Sequence, residues 1–151
     1  MIRALRPDEV ALTYAIYRDA VRIGATPFYT EVQRRAWVPS DGMEDWWPDR
    51  VLGGTTWVDA GATGLDGFLT YIDGHLDLFF VRPAARRGPT APALYDRMLA
   101  HARAEGRRRL TTHASHLARR FLERRGWQVV AREETERGGV LLERFAMEVT
   151  L

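Results

Sequence analysis

VRPAARRGPTAPAL, residues Val81 to Leu94, joins the end of a strand to the start of a helix, and its reading decides the fold. The apolar run HLDLFFV ends at Val81, and Ala91, Leu94, Tyr95, Met98, Leu99 and Ala102 then recur at helical spacing until Gly106. The first N–H groups of a helix have no partner inside it, and the dipole there favours an anion. The bend therefore has the chemistry of a phosphate-binding turn. Pro89 removes one donor, although proline is well tolerated in a helix's first turn. The remaining donors are Arg86, Arg87, the Thr90 hydroxyl and the amides of Thr90 and Ala91, while Gly88 permits a positive φ or a close backbone approach. Losing one hydrogen bond to a charged group costs about 1.5–3 kcal/mol, which weakens an anion site roughly tenfold to a hundredfold. From this stretch alone, an ordinary proline-initiated helix reads equally well.

Working outward, the helix is followed by a strand, RLTTHA, so Phe80 to Arg109 forms a strand-helix-strand crossover that requires two parallel strands. Upstream, TTWVDA, GFLTYI and HLDLFFV are consecutive strands separated by GATGLDG and DG turns, an antiparallel meander. Ile2 to Leu5 is a short strand. Arg6-Pro7-Asp8 opens a helix running to Gly24, Thr30 to Gln33 resembles a capping box for a helix to Trp37, and a third short helix holds Trp46 and Trp47. Downstream, Leu117 to Arg125 is a short helix closed by Gly126, and WQVVAREET and VLLERFAMEV make a strand pair around Gly138-Gly139. The order implies an α/β fold with a mixed sheet.

The chain's 151 residues, 46% hydrophobic, suit one well-packed domain spanning 1–151. With no cysteine, thiolate chemistry and disulfides are excluded, and no stretch has the roughly 20 apolar residues needed to cross a bilayer. A cytoplasmic location is expected. All 22 basic residues are arginine, clustered at Arg107 to Arg109, Arg119-Arg120 and Arg124-Arg125. Codon bias and a solvated face account for these clusters before any nucleic-acid role does.

The runs LDLFFVRPAARRG, ALYDRML, ASHLARRFLERRGW and GGVLLERFAMEV, with FYTEVQRRAWVP nearer the start, resemble the GCN5-related N-acetyltransferase (GNAT) superfamily, in particular a small bacterial subgroup. The resemblance covers nearly the whole chain. It implies a mostly antiparallel seven-stranded sheet flanked by about four helices, and acetyl transfer from acetyl-CoA to a small-molecule or peptide amine in a ternary complex. The family's R/QxxGxG/A motif falls on Arg86 to Ala91, with Pro89 at the first glycine. By resemblance, the backbone of Phe80 and Val81 pairs with pantetheine, Ser115 stands where relatives carry an asparagine on that arm, and Phe121 lies with the cofactor. In the pattern AxxxYxxxGF, Leu122 replaces the tyrosine that serves as general acid. A homodimer through the C-terminal strands is also implied.

An alkylammonium with a pKa near 10.4 must lose a proton before attacking a thioester, at a cost of about 4–5 kcal/mol at neutral pH. In the family the base sits on the strand before the cofactor loop, which marks His75 and Asp77, two apart and so on one face. His75 is the better base by its ordinary pKa, and Asp77 would orient it or contact the amine. The alternative is a polar hairpin rim. Ser115 is either a catalytic or pantetheine-contacting hydroxyl or a helix N-cap, and His113 either lines the acceptor side or is a satisfied edge histidine. His101 reads as helix-end stabilisation, and no histidine has metal-site spacing, so no metal is expected. Tyr29 and Trp37 are expected to line the acceptor pocket, with Trp57 in the core. Glu31, Asp41, Glu44 and Asp45 could attract a cationic amine. Two further readings stand beside the transferase: a weakened CoA-binding module, suggested by Pro89 and Leu122, and an arginine-rich nucleic-acid binder, which lacks an aromatic recognition motif.

Overall fold

The structure, a computed structural model, describes residues 1–151. Its seven strands are β1 (Ile2–Ala4), β2 (Thr55–Ala60), β3 (Leu65–Ile72), β4 (His75–Val81), β5 (Arg109–Ala114), β6 (Gln128–Arg137) and β7 (Val140–Thr150). They form one sheet in the order β1-β2-β3-β4-β5-β7-β6, in which only β4 and β5 run parallel. Five α-helices flank it, the five read along the sequence, where the resemblance implies about four: α1 (Val10–Asp19), α2 (Glu31–Trp37), α3 (Trp47–Leu52), α4 (Thr90–Ala104) and α5 (His116–Glu123). Trp46 lies outside α3 as its N-cap, and β3 begins two residues earlier than its GFLTYI core, at Leu65.

Alternation along the strands sends side chains into two cores, one on each face of the sheet. Trp57, Leu69, Leu76 and Leu110 pack beneath α4 and α5 with Leu94, Met98 and Leu122. Val58, Phe68 and Leu78 pack with Tyr14, Tyr17 and Trp47 from α1 and α3. Leu76 and Leu78 are two apart yet belong to opposite cores. The register explains this: Tyr71 faces Leu76 and Thr70 faces Leu78, so Asp77 is an unpaired extra residue, a β-bulge that reverses the alternation.

The same point ends the pairing of β4 with β5, which covers only His75 with Thr111 and Leu76 with Thr112. Beyond Leu76 the two strands diverge. β5 stays with β7 to its end, Ala114 facing Phe145, while β4 stays with β3 as far as Val81 facing Gly67. At Gly67, a Cβ would lie 2.8 Å from Thr90 Cγ2 and 3.0 Å from the Phe80 carbonyl oxygen. Only glycine lets the start of α4 settle this closely on β3.

At the N-terminus, Glu9 accepts from both guanidinium nitrogens of Arg3 at 2.9 and 2.5 Å and from the Arg6 amide at 3.0 Å. The Arg3 hydrogen bond, with help from the Arg6 amide, holds the Glu9 carboxyl down at about 2, against an ordinary 4.5. The stability this supplies is complete above pH 4.5 and is lost as pH falls towards about 2. Glu9→Gln should lower unfolding free energy at neutral pH by about 1 kcal/mol. Urea titrations should show that deficit shrinking on acidification across the same window.

Candidate active site

The divergence of β4 and β5 opens a wedge whose walls are two cavities meeting at Trp37, Phe80 and Ser115. Along Leu78 to Val81 the backbone groups on the β5 side have no strand partner. That is an open hydrogen-bonding edge inside a cleft, where an extended amide-bearing ligand can pair.

The larger cavity, about 500 Å³, runs over the β4–α4 bend. Arg86, Arg87, Gly88 and Ala91 line it, as do Phe79 to Val81 and Phe121. Four particulars complete the donor inventory. The Thr90 hydroxyl is turned away: Thr90 is buried and donates to Asp59 Oδ2 at 2.7 Å. The Gly88 amide donates to the Ala85 carbonyl at 3.3 Å. Pro89 is the N-cap of α4 rather than its first residue, and Pro92 removes a second donor from the first turn. The positive φ of 68° belongs to Arg87, while Gly88 makes the close backbone approach, a Cβ there lying 3.2 Å from the Ala85 carbonyl oxygen.

Charge is supplied instead by arginines. Arg120, Arg124 and Arg125, from the cluster read as a solvated face, line this cavity together with Arg86 and Arg87. Arg125 stacks on Phe121 with its guanidinium carbon 3.6 Å from the ring centroid, and Arg120 lies 4.9 Å over Phe28. Arg86 is anchored at 2.9 Å on the Gly24 carbonyl, the end of a π-helical turn (Ala20–Gly24) that prolongs α1. Carbonyls at a helix end have no partner within the helix.

The smaller cavity, about 150 Å³, is walled by Tyr17, Tyr29, Trp37, Trp46, Trp47 and Phe80. Trp47 is fully buried, stacked on Tyr17 at 4.6 Å, with its indole N–H on Thr13 Oγ1 at 3.0 Å. The Tyr29 hydroxyl donates to the Glu143 carbonyl at 2.8 Å and accepts from the His116 amide at 3.1 Å, which fixes its ring to β7 and α5. Trp57 lies in the core, as expected from the sequence.

His75, Asp77, His113 and Ser115 all line this cavity. Asp77 does not orient His75; it is held by Arg50 at 3.1 and 3.2 Å. The partner of His75 is Thr111, whose Oγ1 lies 2.8 Å from Nδ1 across the short parallel pairing. Burial, then the neighbouring His113, pulls the His75 imidazole below its ordinary 6.5; the Asp77 carboxylate opposes this and the Arg50 guanidinium adds to it. His113 lies 5.4 Å from His75, ring to ring, and its Nδ1 is 3.4 Å from Glu133. Ser115 caps α5, accepting from the Ala118 amide at 3.3 Å, and lines both cavities at once. Leu122 is fully buried and lines neither.

Glu31, Asp41, Glu44 and Asp45, read from sequence as able to attract a cationic amine, do not line the smaller cavity. Asp41 pairs with Arg22, Glu31 with Arg35, and Glu44 accepts from the Trp46 indole at 3.0 Å. Sequence reasoning passed over Thr111, Arg50, Arg137 and Arg144. The alternation in RLTTHA could have marked Thr111, but only the pairing with β4 makes it the neighbour of His75.

A family model described as an acetyltransferase (GNAT) domain matches residues 57–151. Over 146 residues the chain is 30% identical to the uncharacterized N-acetyltransferase YafP of Escherichia coli strain K12, covering 97% of this chain and 93% of that protein. A crystal structure from Rhodopseudomonas palustris, described as a GCN5-related N-acetyltransferase (aminotransferase, class II), superimposes with a TM-score of 0.93 at 26% identity, over 100% of this chain and 95% of that one. The structure of yncA from Salmonella typhimurium with its cofactor acetyl-CoA shares the fold, with a TM-score of 0.67 at 19% identity over 99% and 92% of the two chains. The chain belongs to the GNAT superfamily of acetyltransferases. It is an N-acetyltransferase, an acyltransferase by reaction class. No helix is long and apolar enough to cross a membrane.

The depressed pKa of His75 makes a measurable prediction. Its imidazole resonances should titrate below pH 6.5 in the folded protein. The unfolded chain then binds the proton more readily, so stability should fall as pH drops from 6.5 through the lower folded value. His75→Gln should remove that component of the slope from the urea midpoint.

Proposed function

We propose that the chain moves an acetyl group from acetyl-CoA directly to an amine, both substrates being bound at once in the β4–β5 wedge. The observation that carries this reading is the meeting of the two cavities at Trp37, Phe80 and Ser115. A donor lying along β4 from the arginine-lined side would reach the cavity that contains His75.

Acetyl-CoA supplies an activated acyl group as a thioester. The unpaired edge of Phe80 and Val81 holds the amide-bearing arm, and Arg86, Arg87, Arg120, Arg124 and Arg125 hold its phosphates with the amide of Ala91. The donors lost at Pro89, Pro92 and Thr90 are offset by these guanidinium groups. His75, with Nδ1 engaged by Thr111, accepts the amine proton at Nε2. Its lowered pKa keeps it neutral at pH 7 and ready to act as base. The amine nitrogen bonds to the acyl carbon and the C–S bond breaks; the second nitrogen proton leaves as the amide forms and, relayed through water or the Ser115 hydroxyl, ends on the departing thiolate. Leu122 cannot supply one, having no ionisable group.

Two experiments test this. Saturating acetyl-CoA, at about a hundred times Kd, should raise the unfolding midpoint by about 5–10 °C through mass action. Gly88→Glu should abolish the shift, whereas Gly88→Ala, which adds only the Cβ, should keep most of it. An absent shift in the unmodified protein would remove the donor assignment, and a shift without transfer to any amine would indicate a binding module. His75→Ala should lower kcat/KM about a hundredfold at neutral pH, with the deficit narrowing towards about pH 9 as free amine becomes abundant. A pH profile identical to that of the unmodified enzyme would exclude His75 from the mechanism.

A further inference from the structure

The charge of the acceptor cavity points to the substrate. Its charged lining residues are Arg50, Arg137, Arg144 and Asp77, with no other carboxylate. Arg50 is neutralised by Asp77, and Arg144 donates to Glu133 at 3.0 Å. Arg137 has no carboxylate within ion-pair range. Its guanidinium donates to the Trp37 carbonyl at 3.2 Å and lies beside the Tyr17 hydroxyl, which bonds the same carbonyl at 3.4 Å, so at most two of its five N–H groups are taken. That bond ties the end of β6 to the end of α2 and holds the charge in place at the cavity wall. Arg137 also lines an outer cleft of about 400 Å³ that shares Trp37, Trp46 and Arg50 with the inner cavity, so it stands where the two meet. In the outer cleft its counterpart is Glu44, itself accepting from Trp46.

A partly enclosed guanidinium with unspent donors is matched by a planar anion that can accept two hydrogen bonds in parallel. The aromatic walls and a volume of about 150 Å³, which is benzene-sized, admit one ring or a short apolar body between that anion and His75. We propose that the acceptor is a small amine that also carries a carboxylate or comparable anionic group, with Arg137 holding the anion and His75 facing the amine. The proposal rests on the transferase reading above and excludes polyamines and other purely cationic amines as preferred acceptors.

The test compares acid and carboxamide partners of one shape: 4-(aminomethyl)benzoate against 4-(aminomethyl)benzamide, and L-phenylalanine against L-phenylalaninamide. In each assay acetyl-CoA is the donor. The acid should exceed its amide in kcat/KM by about tenfold or more in at least one pair. Arg137→Gln should bring that ratio close to one, Arg137→Lys should retain part of it, and an unchanged acetyl-CoA midpoint shift would show that the variants are folded. Equal rates for acid and amide in both pairs, a preference for spermidine over both acids, or a ratio insensitive to Arg137→Gln would overturn the proposal. Quenching of the cavity tryptophans reads binding without turnover, and the acids should again bind more tightly than the amides. If neither member of either pair quenches, the anionic subsite is excluded. Failure of acetyl-CoA to bind would instead sink the transferase reading, leaving the quenching result to judge the subsite separately.

Discussion

The structure depends on the loss of hydrogen bonding between two parallel strands. β4 and β5 share two residue pairs and then part, because Asp77 adds a residue to β4 and turns its axis away from β5. A sheet closed at this point would bury the backbone of Phe80 and Val81 in a ladder. The bulge instead leaves that edge open and sends Leu76 and Leu78 into different cores, so both sides of the parted strand remain anchored. The cavity walls follow from this geometry: α4 and α5 cover one side, while α1, α2 and the β6–β7 hairpin close the other.

On the proposed cofactor side, amide donors have been lost while charge has gathered around the same cavity. Two prolines deprive the start of α4 of amide donors, and Thr90 spends its hydroxyl on Asp59. Five arginines face the same space. Guanidinium groups suit this role better than ammonium groups, since the planar fork matches phosphate oxygens and the same plane stacks on Phe28 and Phe121. In a chain without lysine, arginine therefore acts both as solvating charge and as a packed part of the cleft.

On the proposed acceptor side, core and pocket use the same aromatic side chains. Trp47 is fully buried and holds Tyr17 flat against it, and Tyr17 in turn meets the edge of Phe80 at 5.0 Å. The pocket wall is thus as rigid as the core behind it. His75 sits in this setting with Thr111 on one nitrogen and a second histidine nearby, an environment that favours the neutral ring. The carboxylate two residues along, Asp77, is committed to Arg50.

Much of this was legible from residue order. Hydrophobic period and turn chemistry placed all seven strands and the helix from Thr90, because those signals act over a few residues and are written along the chain. The crossover followed from handed connectivity, and the family resemblance from motifs in order. Sequence could not assign the partners of polar side chains. Thr90 had the right chemistry for a phosphate but faces Asp59, Asp77 was two residues from His75 but bonds Arg50, and Arg137 stood beyond the strand read as WQVVAREET with nothing to mark it. Each outcome depends on which distant segment packs opposite, and a bulge of one residue changes which face a side chain takes. The sequence by itself determined the elements, their order and the fold they build; only the tertiary structure decided which charges neutralise one another and which remain free in the cleft, because hydrogen bonds and ion pairs act over a few ångströms between residues far apart in the chain.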